Sequence, residues 1–220
     1  MHEEEINKRL HFYTQAEEKA NSLTHAAGVV LSLGGLILLV TATAQQGDPR
    51  RLVSCTIYGV TLLLFYSFST IYHSARRPRT KYLFRILDHV SIYLVIAGTY
   101  TPFALVTLQG AWGWSLFGVI WGLAIIGAVF KTFLTHRLRV LGPIFYIAMG
   151  WLVIIAVKPL LAVLPLAGFW WLVAGGVIYT VGVLFYAIEK IPYNHTIWHV
   201  FVLVASVCHY LAVYWYVVPV

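Results

Sequence analysis

The chain has 220 residues, of which 60% are hydrophobic and only 10% are charged, and its mean hydropathy is +0.79. This composition excludes an ordinary soluble globular domain and indicates an integral membrane protein. The net charge of +7 does not indicate a nucleic-acid partner, because basic residues are expected in the cytoplasmic loops of membrane proteins. Cys55 and Cys208 both lie in apolar stretches, so no disulfide framework is expected.

The first segment, residues 1–20, is polar and contains five Glu and three Lys or Arg residues. Within it Ile6, Leu10 and Tyr13 follow helical spacing, which favours a cytoplasmic arm or a short surface helix. The segment lacks the apolar centre of a cleavable signal peptide.

Residues 21–220 form the predicted membrane domain. They contain seven apolar segments that are long enough, or nearly so, to cross a hydrocarbon core of about 30 Å. The approximate bounds are 22–44, 53–72, 88–108, 114–133, 140–157, 168–188 and 195–217. Because the connections are short, the sequence predicts an all-α fold, a single seven-transmembrane-helix bundle without a separate soluble domain.

The distribution of basic residues predicts the orientation of this bundle. Of the 15 Lys and Arg residues, 12 lie in the N-terminal arm and in the second, fourth and sixth loops. The other 3, Arg50, Arg51 and Lys158, lie in the first, third and fifth loops. By the positive-inside rule, the N-terminus is cytoplasmic and the C-terminus lies outside.

Ionisable side chains recur at the predicted cytoplasmic ends of the segments. His25 lies near the start of the first, His73 follows the second, and Asp88 and His89 open the third. Such groups are costly inside a membrane and usually mark a functional site. The alternative is that each is an interfacial residue in contact with water and lipid headgroups.

The last segment opens with two histidines four residues apart, His195 and His199, and Asn194 is the predicted N-cap of that helix. Four-residue spacing places both imidazoles on one helix face, where they can bind one metal ion together with a third ligand. His209 lies 14 residues beyond His195, or about 21 Å deeper at the helical rise, so we do not expect it at this site.

His73 is the best third ligand, and Ser69 lies one helical turn before it on the same face. Three neutral imidazoles leave one tetrahedral position open, which is typical of catalytic rather than structural Zn²⁺ sites. Asp88 can hold a water molecule at that position and accept its proton. A competing role for Asp88 is that of the N-cap of the third helix.

Three separated motifs resemble the hemolysin III branch of the progestin and adipoQ receptor superfamily. They are STIYH at 69–73, LDH at 87–89 followed by Gly98 and Pro102, and HTIWH at 195–199. The segment NSLTH at 21–25 also resembles the first-helix motif of that family.

This resemblance implies a seven-helix fold with Zn²⁺ held near the cytoplasmic face by His73, His195 and His199, and a water held by Asp88. We further expect Ser69 to be a catalytic-site residue, and Asn21, Thr24, His25 and His89 to surround the site. The eukaryotic relatives of the family are associated with ceramidase activity, and the bacterial branch with haemolysis and membrane-lipid homeostasis.

Our first functional hypothesis is a zinc-dependent hydrolase of amide-linked lipids, embedded as a multi-pass protein in the plasma or inner membrane. Its expected ligand or substrate is a membrane lipid. The second hypothesis is a non-enzymatic sensor or regulator of membrane homeostasis, in which zinc only links the second and seventh helices. A cytolytic, pore-forming role ranks last, because no segment has a polar stripe wide enough to line a pore.

Overall fold

The computed structural model describes Ile6, Leu10 and residues 13–134, 141–188 and 190–219. The rest of the predicted arm, and residue 140, where the fifth predicted segment starts, lie outside these residues. The described part contains no strand, and seven of its helices are long and apolar enough to cross a membrane. The predicted fold class is therefore confirmed.

The helices follow one another with short connections. They are α1 (Gln15–Ala44), α2 (Pro49–Ser74), α3 (Pro78–Pro102), α4 (Gly110–Leu134), α5, α6 (Leu166–Ala187) and α7 (Asn194–Tyr216). A π-helical segment, Phe103–Leu108, extends α3. The fifth span, α5, consists of α-helical Leu141–Gly150, 3₁₀-helical Trp151–Ala156 and a last turn, Val157–Leu161.

Helix α1 begins earlier than the apolar pattern alone indicates. Thr14 and Glu17 form a capping box, in which each side chain pairs with the other residue's backbone N–H. The first turns of α1 therefore come from residues 15–20 of the predicted arm. They extend the helix beyond the apolar stretch, with Glu18 in this extension and Asn21 directly after it.

Helix α3 also begins earlier than predicted, at Pro78 rather than at residue 88. Pro78 occupies the first helical turn, where its missing N–H costs nothing, and the polar residues Lys81 and Arg85 follow it. A search for apolar runs does not include these polar turns, so it places the start of the helix too late. Asp88 consequently lies ten residues inside the helix, and its alternative role as the N-cap is wrong.

The prediction that Asn194 caps the last helix is wrong as well. Asn194 is the first residue of α7, and the N-cap is Tyr193, which has a left-handed backbone with φ of 56°. The Asn194 side chain instead donates at 3.4 Å to the carbonyls of Phe185 and Tyr186 at the end of α6. This contact joins α6 to the start of α7 and sets the direction in which the histidine pair enters the bundle.

Helix α3 is the most buried of the seven spans and separates two apolar cores. One core joins it to α1, α2 and α7, and the other joins it to α4 and α5. At the irregular middle of α5, the Tyr100 hydroxyl donates to the carbonyls of Met149 and Gly150 and accepts from Val153 N–H. Backbone groups that the 3₁₀ turn leaves unpaired are satisfied in this way, as membrane burial requires.

Candidate metal centre

Three imidazoles meet at one end of the bundle, which is the predicted cytoplasmic end. His73 lies in the last turn of α2, and His195 and His199 lie one turn apart at the start of α7. One ring nitrogen of each lies within 4.8 Å of one nitrogen of the other two. All three side chains are buried. The structure thus brings together the three residues that the sequence predicts as metal ligands.

The hydrogen bonds of His73 fix which of its nitrogens can bind a metal. Its Nδ1 lies 2.7 Å from Glu18 Oε2, and a carboxylate oxygen can only accept, so Nδ1 carries the proton. The Nε2 atom is buried and has no hydrogen-bond partner among the described residues. A buried lone pair without a partner is costly, and a metal ion at the centre of the cluster would satisfy it.

Glu18 is in turn held by a second partner, the ammonium group of Lys81. Its other carboxylate oxygen lies 2.8 Å from the Nζ of Lys81, which also donates to the carbonyl of Tyr72 at 3.2 Å. Lys81 is only 5% exposed, so this ion pair is largely shielded from water. Glu18 therefore orients the imidazole of His73 from α1, while Lys81 orients Glu18 from α3.

His199 is held by the first helix. Its Nδ1 lies 3.2 Å from the carbonyl oxygen of Asn21 and 3.3 Å from the hydroxyl of Thr24. Because the carbonyl can only accept, Nδ1 carries the proton and Nε2 keeps its lone pair for a metal. The Asn21 side chain accepts a hydrogen bond from Thr196, which lies between the two histidines of the pair.

Two aromatic rings cover the cluster. The ring of His25 stacks on His199, with centroids 3.6 Å apart and planes 13° apart, and the ring of Tyr13 stacks on His195 at 5.0 Å. Burial raises the pKa of Tyr13 well above its ordinary value, so its hydroxyl stays neutral. Both nitrogens of His25 are buried without a hydrogen-bond partner in the described part of the chain.

A small cavity of about 30 Å³ borders this cluster. Its lining includes Asp88, His89 and Lys131 together with His195 and His199. Asp88 is only 7% exposed, so its carboxylate faces this interior space rather than bulk water. The structure therefore places the predicted catalytic carboxylate and two of the predicted ligands around one cavity.

Ser69 and His89 flank Asp88 in different ways. The buried Ser69 hydroxyl lies beside the Asp88 carboxylate without a well-formed hydrogen bond. The Nδ1 of His89 donates to the carbonyl of Arg85 at 2.7 Å and lies 3.6 Å from Asp88 Oδ2. His89 is thus fixed by its own helix and contributes its ring to the wall of the cavity.

A second, larger cavity of about 150 Å³ opens beside the first. Residues from all six helices from α2 to α7 line this cavity, and the lining is predominantly apolar. The two cavities share five lining residues: Phe65, Ile92, Tyr146, Val183 and Trp198. A larger apolar cavity therefore adjoins the small one that Asp88, His195 and His199 line.

Four residues of this site were not predicted from the sequence. Glu18, Lys81 and Tyr13 belong to polar segments that composition assigns to the surface, and Lys131 was counted among the loop residues. In the structure Lys131 lies in α4 and is only 4% exposed. Its position directly after the apolar run that ends at Phe130 was the available signal of burial.

Comparison with known proteins places these features in a family. Residues 13–210 match the family described as Haemolysin-III related. The chain is 48% identical over 203 residues to Hemolysin-3 of Bacillus cereus, covering 92% of this chain and 93% of that protein. It is 47% identical to the Hemolysin-3 homolog of Bacillus subtilis, covering 94% and 98%. It is also 29% identical to the human Monocyte to macrophage differentiation factor, covering 91% and 84%.

Proposed function

This chain belongs to the haemolysin III family of multi-pass membrane proteins, as its sequence motifs predict, and we propose that it is a zinc-dependent hydrolase of amide-linked lipids. The proposal includes a location in the plasma or inner membrane, with the metal centre near the cytoplasmic face. One observation supports it above all others. A buried carboxylate, Asp88, borders the same cavity as two members of a three-histidine cluster whose nitrogens lie within 4.8 Å of one another.

The donor set favours zinc. Three neutral imidazoles suit Zn²⁺ better than Mg²⁺ or Ca²⁺, which prefer oxygen ligands, and three protein ligands are typical of catalytic zinc sites. A bound zinc ion would supply Lewis acidity, which activates water and polarises a carbonyl group. His73, His195 and His199 would hold the ion. Glu18 and the Asn21 carbonyl would fix the orientation of two of the three rings.

Asp88 is the proposed general base. One of its carboxylate oxygens would accept a proton from the water that attacks the amide carbonyl, and would return it to the departing nitrogen. Ser69 lies beside this carboxylate and would orient it. The adjoining apolar cavity would hold a hydrocarbon chain of the substrate, which is why we propose a lipid rather than a soluble amide.

A second candidate function is a regulator of membrane homeostasis with structural zinc. The observation that favours it is that the proposed ligands come from α2 and α7, while their hydrogen-bond partners come from α1. A metal ion would link these helices even without turnover. The names of the two Bacillus relatives raise a cytolytic role. We rank this role last, because the larger cavity is predominantly apolar and would not conduct ions.

The test is turnover of ceramide-like and other amide lipids by the protein in reconstituted membranes. Asp88→Asn should retain its metal, because the three imidazoles remain, yet lose about 10²- to 10⁴-fold in rate with the general base. Asp48→Asn is the matched control, since Asp48 caps the other end of α2 and asparagine caps equally well. Equal rates for the wild type, Asp88→Asn and chelator-treated protein would exclude the hydrolase proposal. Metal binding without any turnover would favour the regulator.

A further inference from the structure

The large apolar cavity contains one polar feature that the proposed chemistry does not use. Several hydroxyl groups line this cavity, and the structure gives each of them a partner within the protein. The hydrogen-bonded pairs are Thr99 with Val95 O, Tyr100 with Met149 O and Gly150 O, Tyr146 with His89 O, Tyr179 with Ser206 Oγ, and Thr180 with Gly176 O. These groups have their own hydrogen bonds and place no demand on a ligand.

His209 differs from these hydroxyls. Its Nε2 lies 3.2 Å from the carbonyl oxygen of Leu172, which can only accept, so Nε2 carries the proton. The Nδ1 atom is then a hydrogen-bond acceptor with an available lone pair. The Cδ2–Nε2 edge of the ring faces Gly175 on α6, where even a Cβ atom would collide with it. Nδ1 lies on the opposite side of the ring, away from α6, and His209 lines the cavity.

The depth of His209 indicates what could reach it. His209 follows His199 by ten residues on α7, which corresponds to about 15 Å along the helix axis. An extended hydrocarbon chain covers that distance in about 12 carbon–carbon bonds, because each bond of about 1.5 Å advances the zigzag chain by only about 1.25 Å. A lipid held at the metal centre by its polar end would therefore pass His209 in the middle of a long chain.

We propose that His209 selects lipids whose chain carries a hydroxyl group, by accepting a hydrogen bond from that hydroxyl at Nδ1 inside the apolar cavity. This inference rests on the proposed function for the lipid nature of the ligand, and it adds a specificity-determining residue to that site. A hydroxyl left without a partner among apolar side chains costs free energy, so the acceptor makes the difference between tolerating and rejecting such a chain.

The test measures binding rather than turnover, so it stands or fails separately from the hydrolase proposal. Equilibrium binding of stearic acid and 12-hydroxystearic acid is measured on purified full-length protein in detergent, with metal and after chelation. The wild type should bind the hydroxylated acid at least as tightly as the plain one. His209→Leu should shift the affinity ratio about five- to tenfold towards stearic acid, as the loss of one buried hydrogen bond predicts.

Two further variants separate recognition from packing. His209→Gln keeps an acceptor of similar reach and should preserve most of the wild-type ratio. Thr99→Val removes a lining hydroxyl that is already engaged with Val95 O, and should change the affinity for both acids equally. The proposal is overturned if the ratio is the same in the wild type and His209→Leu, or if the wild type binds neither acid. A ratio that changes equally in Thr99→Val and His209→Leu would also overturn it.

Discussion

Glu18 offers the sharpest test of the metal centre, because its expected effect can be worked out from two contacts. Its carboxylate lies 2.7 Å from His73 Nδ1 and 2.8 Å from Lys81 Nζ. The first contact is a charge-assisted hydrogen bond that fixes the tautomer of His73 and increases the basicity of Nε2. Replacing Glu18 should therefore weaken metal binding, although Glu18 itself is not a proposed ligand.

The magnitude follows from the known effect of such outer partners, which is about 10- to 100-fold in metal affinity, or about 1.4–2.8 kcal/mol. Glu18→Gln keeps an oxygen acceptor but removes the charge, so we expect a loss near tenfold. Glu18→Ala removes the acceptor as well and should approach a hundredfold. Zinc affinity is measured by competition with a chromophoric chelator on purified protein in detergent.

The matched control is Glu17→Gln. Glu17 lies on the same turn of α1 and carries the same charge, but its carboxylate accepts hydrogen bonds from Thr14 and from the backbone N–H of Tyr193. This variant should keep the wild-type zinc affinity while losing a little helix stability. If Glu18→Ala and Glu17→Gln bound zinc as tightly as the wild type, the assigned role of Glu18 would be refuted.

Three further predictions concern orientation, metal content and packing. Reporter fusions should place the N-terminus in the cytoplasm and the C-terminus outside, and both ends on one side would contradict the 12-to-3 charge bias. Metal analysis should find about one zinc per chain in the wild type and in His209→Leu, but not in the His195→Ala, His199→Ala double variant. Gly28→Ala should destabilise the bundle by about 1–3 kcal/mol, because its Cβ would overlap the ring of Tyr66 on α2. Gly34→Ala has free space around its Cβ and should leave the free energy of unfolding, measured in detergent, unchanged.

The sequence predicts the seven spans correctly because the membrane imposes a length and a polarity on each of them. The ends of the helices are predicted less well. α1 and α3 extend beyond their apolar stretches, and these extensions place Glu18 and Lys81 at the metal centre. Hydropathy excludes such polar turns, and their burial depends on which helices become neighbours, which one-dimensional periodicity does not contain.

The histidines could be predicted for a different reason. The four-residue spacing of His195 and His199 is a local property of one helix, and His73 ends an apolar run at the same predicted depth. The partners of these rings are tertiary contacts: His73 meets Glu18 across 55 positions, and His199 meets Asn21 across 178. A single sequence carries no signal for such pairs beyond the identity of the residues.

The same geometry explains why stability measurements do not separate the two leading functions, whereas Asp88 does. The proposed ligands lie on α2 and α7 and their outer partners on α1 and α3, so metal loss should loosen the bundle in a hydrolase and in a regulator alike. Asp88 is outside the three-histidine group, and it borders the cavity that a substrate would occupy. A structural site has no need for a buried carboxylate at that position, and burying one is costly. Asp88→Asn should therefore leave the stability of the bundle unchanged or raise it in either case, and in a hydrolase it should also lower turnover about 10²- to 10⁴-fold.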